Sequence, residues 1–259
     1  MALYHRVLIL LFAGLFYPLL SLASGYTFLG QLSQETHIPE QVMGYSIVCI
    51  LILFFGTLYK FKVANLSDQN LIIPDAKISL RNIMEFFGEK MLGLTESIVG
   101  AEYASRYFFL ASSLFIVIFV SNLMGLIPGF LPPTSNINTT LALGLISFIY
   151  YNVEGIKAVG AWNHFKHLFG PVALLAPLMF VIELLSHSIR PLTLAIRLRS
   201  NMEGDHMVLS IFTDLTKVVI PVIFMGLGTF ISFIQAFVFT ILTLVYVKLA
   251  IDTHDHGDH

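Results

Sequence analysis

The sequence predicts an all-α membrane protein. It has about five membrane helices, a signal-like segment before them, and two long, strongly inclined C-terminal helices that form a hairpin. Three observations carry this prediction. Hydrophobic residues make up 56% of the 259 residues and charged residues only 12%, where a soluble domain carries about 25% charge. Mean hydropathy is +0.82. Two long stretches, Tyr107–Val153 and Val218–Val247, hold no charged residue at all.

The elements follow in chain order. His5 and Arg6 precede the apolar run Val7–Leu20, and Ser21-Leu22-Ala23 supplies the small residues of a cleavage site. Residues 1–24 therefore read as a signal peptide, with an uncleaved first membrane helix as the alternative. Residues 25–41 then fall outside the cytoplasm, and 25–259 form a single membrane domain. The next span, 42–59, follows Glu35 and Glu40 and precedes Lys60 and Lys62. Its lysine-rich end belongs to the cytoplasm. Within residues 63–106, Ile83, Phe87, Met91, Leu94 and Ile98 recur at helical spacing, the pattern of an amphipathic helix at a surface or against another helix.

Pro128, Pro132, Pro133 and Asn136 interrupt the first uncharged stretch. That gives a helical hairpin with spans at 108–127 and 139–156. Arg106, Lys157 and Lys166 flank it and place both ends in the cytoplasm. The last two spans, 171–212 and 218–247, are too long for a perpendicular crossing. Thirty residues make about 45 Å of helix, against a hydrocarbon core of about 30 Å. A tilt of about 45° absorbs the difference, where ordinary tilts average about 20°. A kink at Pro191 or Pro221 is the competing explanation. The C-terminus is cytoplasmic.

Composition also excludes functions. No basic patch serves nucleic acid. The single cysteine, Cys49, forms no internal disulfide. No Gly-rich phosphate loop or nucleophile elbow is present, so nucleotide chemistry belongs to other chains. No cofactor is implied, and the histidine-bearing tail from His254 reads as solvated rather than as a metal site.

Ionisable groups inside a membrane are costly and face protein or water. The C-terminal hairpin holds Glu183, His187, Arg190, Arg197, Arg199, Glu203, Asp205 and His206. Glu183, Arg190 and Arg197 are seven apart and Asn201 is four beyond Arg197, which aligns them along one helix face. Arginine never loses its proton, so it gates and does not relay. Glutamate and histidine take and give protons near neutrality. Glu183 and His187 also form a possible i, i+4 structural pair, and Arg199 reads as snorkelling toward headgroups.

Three segments carry a resemblance. They are Arg190-Pro191-Leu192-Thr193-Leu194-Ala195-Ile196-Arg197-Leu198-Arg199-Ser200-Asn201-Met202; Ser121 to Pro128 followed by Asn138-Thr139-Thr140-Leu141; and Ile234-Gln235-Ala236-Phe237-Val238-Phe239-Thr240. In order and spacing they resemble the a-subunits of F-type ATP synthases over roughly residues 105–250. The resemblance implies a proton-translocating subunit in a bacterial inner membrane. Its partners would be a ring of c-subunits, the b-subunit stator, other synthase subunits and the lipid bilayer.

In that family reading, Arg197 faces the ring carboxylate and separates two half-channels. Asn201 and Gln235 line the interface, Glu183 is a half-channel acid and Arg190 shares its stripe. His206, nine residues after Arg197, belongs to a separate access path. The family usually carries a titratable partner for that site seven residues before Gln235, where this chain has Gly228. The partner is then absent, replaced by water, or supplied by Glu203, Asp205 or Asp214. The alternatives are a secondary ion transporter, which predicts an internal repeat that the sequence lacks, and a purely structural membrane subunit, which leaves Arg197 unexplained.

Overall fold

A computed structural model describes residues 27–64, 79–127, 129–160, 176–215 and 219–252. The signal-like segment 1–24, Pro128, Lys166 and the histidine-bearing tail lie outside the described residues. Among the described residues the fold is all-α, as the composition predicts. The helices are α1 (Phe28–Thr36), α2 (Glu40–Ala64), α3 (Leu80–Val99), α4 (Ala101–Met124), α5 (Ile137–Val159), α6 (Ala176–Leu215) and α7 (Val219–Asp252).

The short elements are punctuated by local chemistry. Thr27 caps α1 by accepting from the Gly30 amide at 3.1 Å, and Ser79 caps α3 by accepting from the Asn82 amide at 3.4 Å. These contacts satisfy amides that have no partner inside the helix. Gly100, at φ 96°, separates α3 from α4. Its amide donates to the Glu96 carbonyl at 3.0 Å, and a side chain is strained at that φ. On α3 the apolar side runs through Met91, which is buried, while Ile83 is 55% exposed. The predicted stripe therefore holds at its centre and fails at its N-terminal end, where the buried residue is Arg81, paired with Glu85.

Among the described residues four helices are long and apolar enough to cross a membrane: Glu40–Ala64, Ala101–Met124, Pro177–Leu209 and Val222–Ile251. At 23 residues α5 is long enough too, although Asn138, Thr139, Thr140, Asn152 and Glu154 lower its hydropathy. The chain is a helical membrane protein. In α2 the large apolar residues Ile50, Leu53, Phe54 and Phe61 are each more than half exposed, the outward face that a bilayer covers.

The long C-terminal helices run to 40 residues in α6 and 34 in α7. Pro191 lies inside α6, and the helix continues through it. Pro221 falls in the first turn of α7, where a missing amide costs nothing.

The chain forms two compact units. The first combines the described residues up to Val48 with Ile118–Thr140 and Ile196–Gln235; the second combines Cys49–Val117, Leu141–Ala195 and the chain from Ala236. In the first unit, the loop joining α4 to α5 is tied down by side chains. Thr134 donates to Asn122 Oδ1 at 2.8 Å, and Thr139 donates to the Pro133 and Asn136 carbonyls at 2.5 and 2.7 Å. The Phe28 amide donates to the Gly129 carbonyl at 3.0 Å. In the same unit α6 and α7 pair through stacked Phe212 and Phe224, centroids 4.4 Å apart, and through Asn201 donating to Gln235 at 2.6 Å.

In the second unit the helices approach closely. A Cβ at Gly144 would lie 2.6 Å from the Pro191 carbonyl oxygen, so only glycine lets α5 meet the backbone of α6 there. Ser147 and Thr243 share a hydrogen bond at 2.8 Å. Glu154, nearly buried, accepts from the Tyr107 hydroxyl at 3.0 Å and from Lys157 at 3.0 Å, and it pairs with Arg106 at 2.5 Å. Replacing Glu154 by alanine strands the buried Tyr107 hydroxyl, a loss of about 2 kcal/mol. The variant is expected to unfold several degrees lower than the wild type in detergent, measured by tryptophan-independent far-UV dichroism.

Candidate functional site

In the first unit α6 turns its apolar side inward. Leu198 and Met202 are buried, at 0% and 2% exposure. Arg197, one residue before Leu198, is consequently exposed. The guanidinium makes no hydrogen bond or ion pair to any described residue. It is embedded in an apolar helix by sequence, yet within this chain its head stands on the outer surface. The intramembrane charge read from the sequence is thus not buried by the chain itself.

Its neighbours are different. Asn201, one turn on, reaches across to α7 and donates to Gln235. Gln235 is itself only 3% exposed. The two residues assigned together from sequence do meet. Arg199 pairs with Glu203 at 2.7 Å, one turn along the same exposed surface, so Glu203 is engaged as a surface ion pair. Asp214 stands in the last turn of α6, and its side chain lies outside the described residues.

His206 and Asp205 line a cavity of about 270 Å³ together with Asn122, Leu126, Phe224 and Gly228. That volume admits several water molecules. Two polar atoms of its wall are buried and unsatisfied: Asp205 Oδ2 and Asn122 Nδ2. Buried polar atoms are seldom left without partners. Glycine shapes the space. A Cβ at Gly125 would come within 2.9 Å of His206 Nε2, and one at Gly228 would meet only the flexible end of Leu126, at 2.6 Å.

In the second unit Glu183 and His187 form an i, i+4 pair, Oε1 to Nε2 3.2 Å. The other ring nitrogen of His187 lies 3.3 Å from the Tyr151 hydroxyl. Arg190 lies over the Tyr246 ring, 5.1 Å from its centroid, a cation–π placement. Sequence reasoning missed Tyr151, Tyr246, Asn122 and the Glu154 cluster. Glu154 carried a readable signal, since it ends an uncharged stretch. The tyrosines carried none, because aromatic residues on an apolar helix look alike before packing is known.

Related proteins match most of the chain. The family described as ATP synthase A chain matches residues 42–248. An ATP synthase subunit a of Bdellovibrio bacteriovorus is 46% identical over 71% of this chain and 80% of its own length. That of a Nitratiruptor species is 38% identical over 90% of this chain and 98% of its own. That of Sorangium cellulosum is 35% identical over 90% of each. The matched region contains every residue of the two polar clusters and the exposed arginine between them in sequence, and the chain belongs to the ATP synthase A chain family.

Proposed function

We propose that this chain is the proton-translocating a-subunit in the membrane sector of an F-type ATP synthase, coupling proton flow to rotation of a ring of c-subunits and so to ATP synthesis by other subunits. One observation carries the reading. Arg197 is the site arginine that no described group answers, whereas Arg190 has Tyr246, Arg199 has Glu203 and Asn201 has Gln235. A permanent cation held outward on an apolar helix calls for a carboxylate from another chain. An arginine pairs with it while it is ionised and bars a free proton from passing straight through.

Protons then travel by two paths that do not meet at the arginine. One uses the cavity lined by His206 and Asp205, which has room for several waters. Of the three groups that could stand in for the one absent at Gly228, Asp205 is favoured by its unsatisfied oxygen in that cavity. Glu203 is disfavoured by its ion pair with Arg199. The other path uses Glu183. The chain lies in a bacterial inner membrane with five spans, α6 and α7 steeply inclined, and it docks against a c-ring and a b-subunit stator. Its N-terminus is outside after signal cleavage and its C-terminus is cytoplasmic.

The test is biochemical. Isolated in mild detergent from its own membrane, the chain is expected to bring with it a small two-helix proteolipid with a single mid-membrane carboxylate. Modification of that carboxylate by a hydrophobic carbodiimide is expected to stop proton flow. A purified assembly with no such proteolipid overturns the proposal.

A further inference from the structure

His187 touches a proton-capable group with each of its ring nitrogens. Nε2 faces the Glu183 carboxylate at 3.2 Å, and Nδ1 faces the Tyr151 hydroxyl at 3.3 Å. Tyr151 is only 2% exposed, and its ring packs on Tyr246 and Phe148, with centroids 5.7 and 5.3 Å away. The phenol is thus held in place by α5 and α7 while α6 supplies the histidine and the acid. Arg190 lies over the Tyr246 ring and its guanidinium also reaches the Tyr151 hydroxyl, a fixed charge beside the phenol.

We propose that Tyr151, His187 and Glu183 form a three-group proton wire, an extension of the Glu183 path that rests on the reading above. The wire has two end states, and each is fully hydrogen-bonded. With Glu183 ionised, the Tyr151 O–H donates to Nδ1, and Nε2–H donates to the carboxylate. A proton then arrives at the Tyr151 oxygen. Its own hydrogen passes to Nδ1, and the Nε2 hydrogen passes to Glu183. Each acceptor gains one bond and each donor loses one. Tyr151 ends as a neutral phenol, His187 as the other neutral tautomer and Glu183 as the neutral acid.

No charge is left on the imidazole or the phenol, and no polar atom is stranded in either state. A hydroxyl can donate or accept and a neutral imidazole has two tautomers, which is why this order of groups works and a Phe or Leu at either position does not. A merely structural Glu183–His187 pair has no use for a phenol on the far nitrogen.

The test uses the assembled synthase in inverted membrane vesicles. Tyr151→Phe keeps the ring and its packing and removes only the hydroxyl. His187→Ala removes the carrier. Each is expected to slow proton-driven ATP synthesis by a factor on the order of 10², the usual contribution of a positioned proton-transfer group. Added imidazole is expected to restore His187→Ala in part, because it returns a carrier and not a packing contact. Should His187→Ala fail to assemble, His187→Gln and Tyr151→Phe carry the test.

Wild-type rates in Tyr151→Phe overturn the wire, as does a His187→Ala assembly that imidazole does not restore. Arg197→Ala run alongside separates the two ideas. If it leaves coupled synthesis intact, the functional reading itself falls. If it abolishes synthesis while Tyr151→Phe is unaffected, only the wire falls.

Discussion

Replacing Arg197 by alanine is expected to abolish proton-driven ATP synthesis while passive proton flow through the membrane sector persists or rises. The reason lies in what the side chain cannot do. A guanidinium stays charged at every accessible pH, so it never carries the proton; in the proposed role it holds a partner carboxylate ionised and denies the proton a direct route. One elementary charge crossing 100 mV releases about 2.3 kcal/mol, so several protons must be harnessed for each ATP. A short circuit at this position dissipates that gradient without turning a rotor.

Because Arg197 is exposed and makes no hydrogen bond or ion pair to any described residue, its removal is expected to cost the fold little. The variant subunit is expected to be present at wild-type level in the membrane, measured by immunoblot, with ATP synthesis at background and vesicle acidification collapsing faster than in the wild type. Coupled synthesis near the wild-type rate would falsify the assignment.

The second large effect belongs to Asp205. Its Oδ2 is buried without a partner in the cavity it shares with His206. Changing it to asparagine keeps the shape and removes the only carboxylate among the lining residues. Proton-driven synthesis is expected to fall by a factor on the order of 10². A second carboxylate at Gly228 has room, since only the mobile end of Leu126 stands in its way. Gly228→Glu in the Asp205→Asn background is therefore expected to recover much of the rate. Glu203→Gln, which disturbs only the exposed pair with Arg199, is expected to stay within about two-fold of wild type. Equal loss in Glu203→Gln and Asp205→Asn would remove the special role of Asp205.

The class of fold was legible because hydrocarbon imposes it: a chain with 12% charge and long uncharged stretches has only helices with which to satisfy its backbone in lipid. The pairing of Asn201 with Gln235 was legible as a resemblance between motifs. The surroundings of Arg197 were not. The sequence puts a charge among apolar residues, which suggests burial; the structure turns Leu198 inward and leaves Arg197 exposed, where the proposed function gives it a carboxylate of another chain.

The Glu183–His187 spacing was readable on one helix, whereas the third member, Tyr151, comes from a different helix and carries no periodic signal. The choice among Glu203, Asp205 and Asp214 was equally closed to spacing arguments. It turned on which carboxylate has an empty cavity beside it and which has an arginine.

The cross-helix contacts of α6 and α7 bear on how the protein is made. Phe212 meets Phe224, Asn201 meets Gln235, and Arg190 meets Tyr246. Each pair sits at equal distance on either side of residue 218, so each contact closes a wider loop than the one before it. Such a register can zip from its turn as the chain leaves the ribosome, with short-range closures preceding long-range ones. Asn201 and Gln235 gain their partner in that step, without help from any other chain. Arg197 has no such partner among the described residues. At the centre of a bilayer an isolated arginine costs about 2.5–3.5 kcal/mol on insertion scales. On the proposed function, assembly against a carboxylate of another chain offsets that cost.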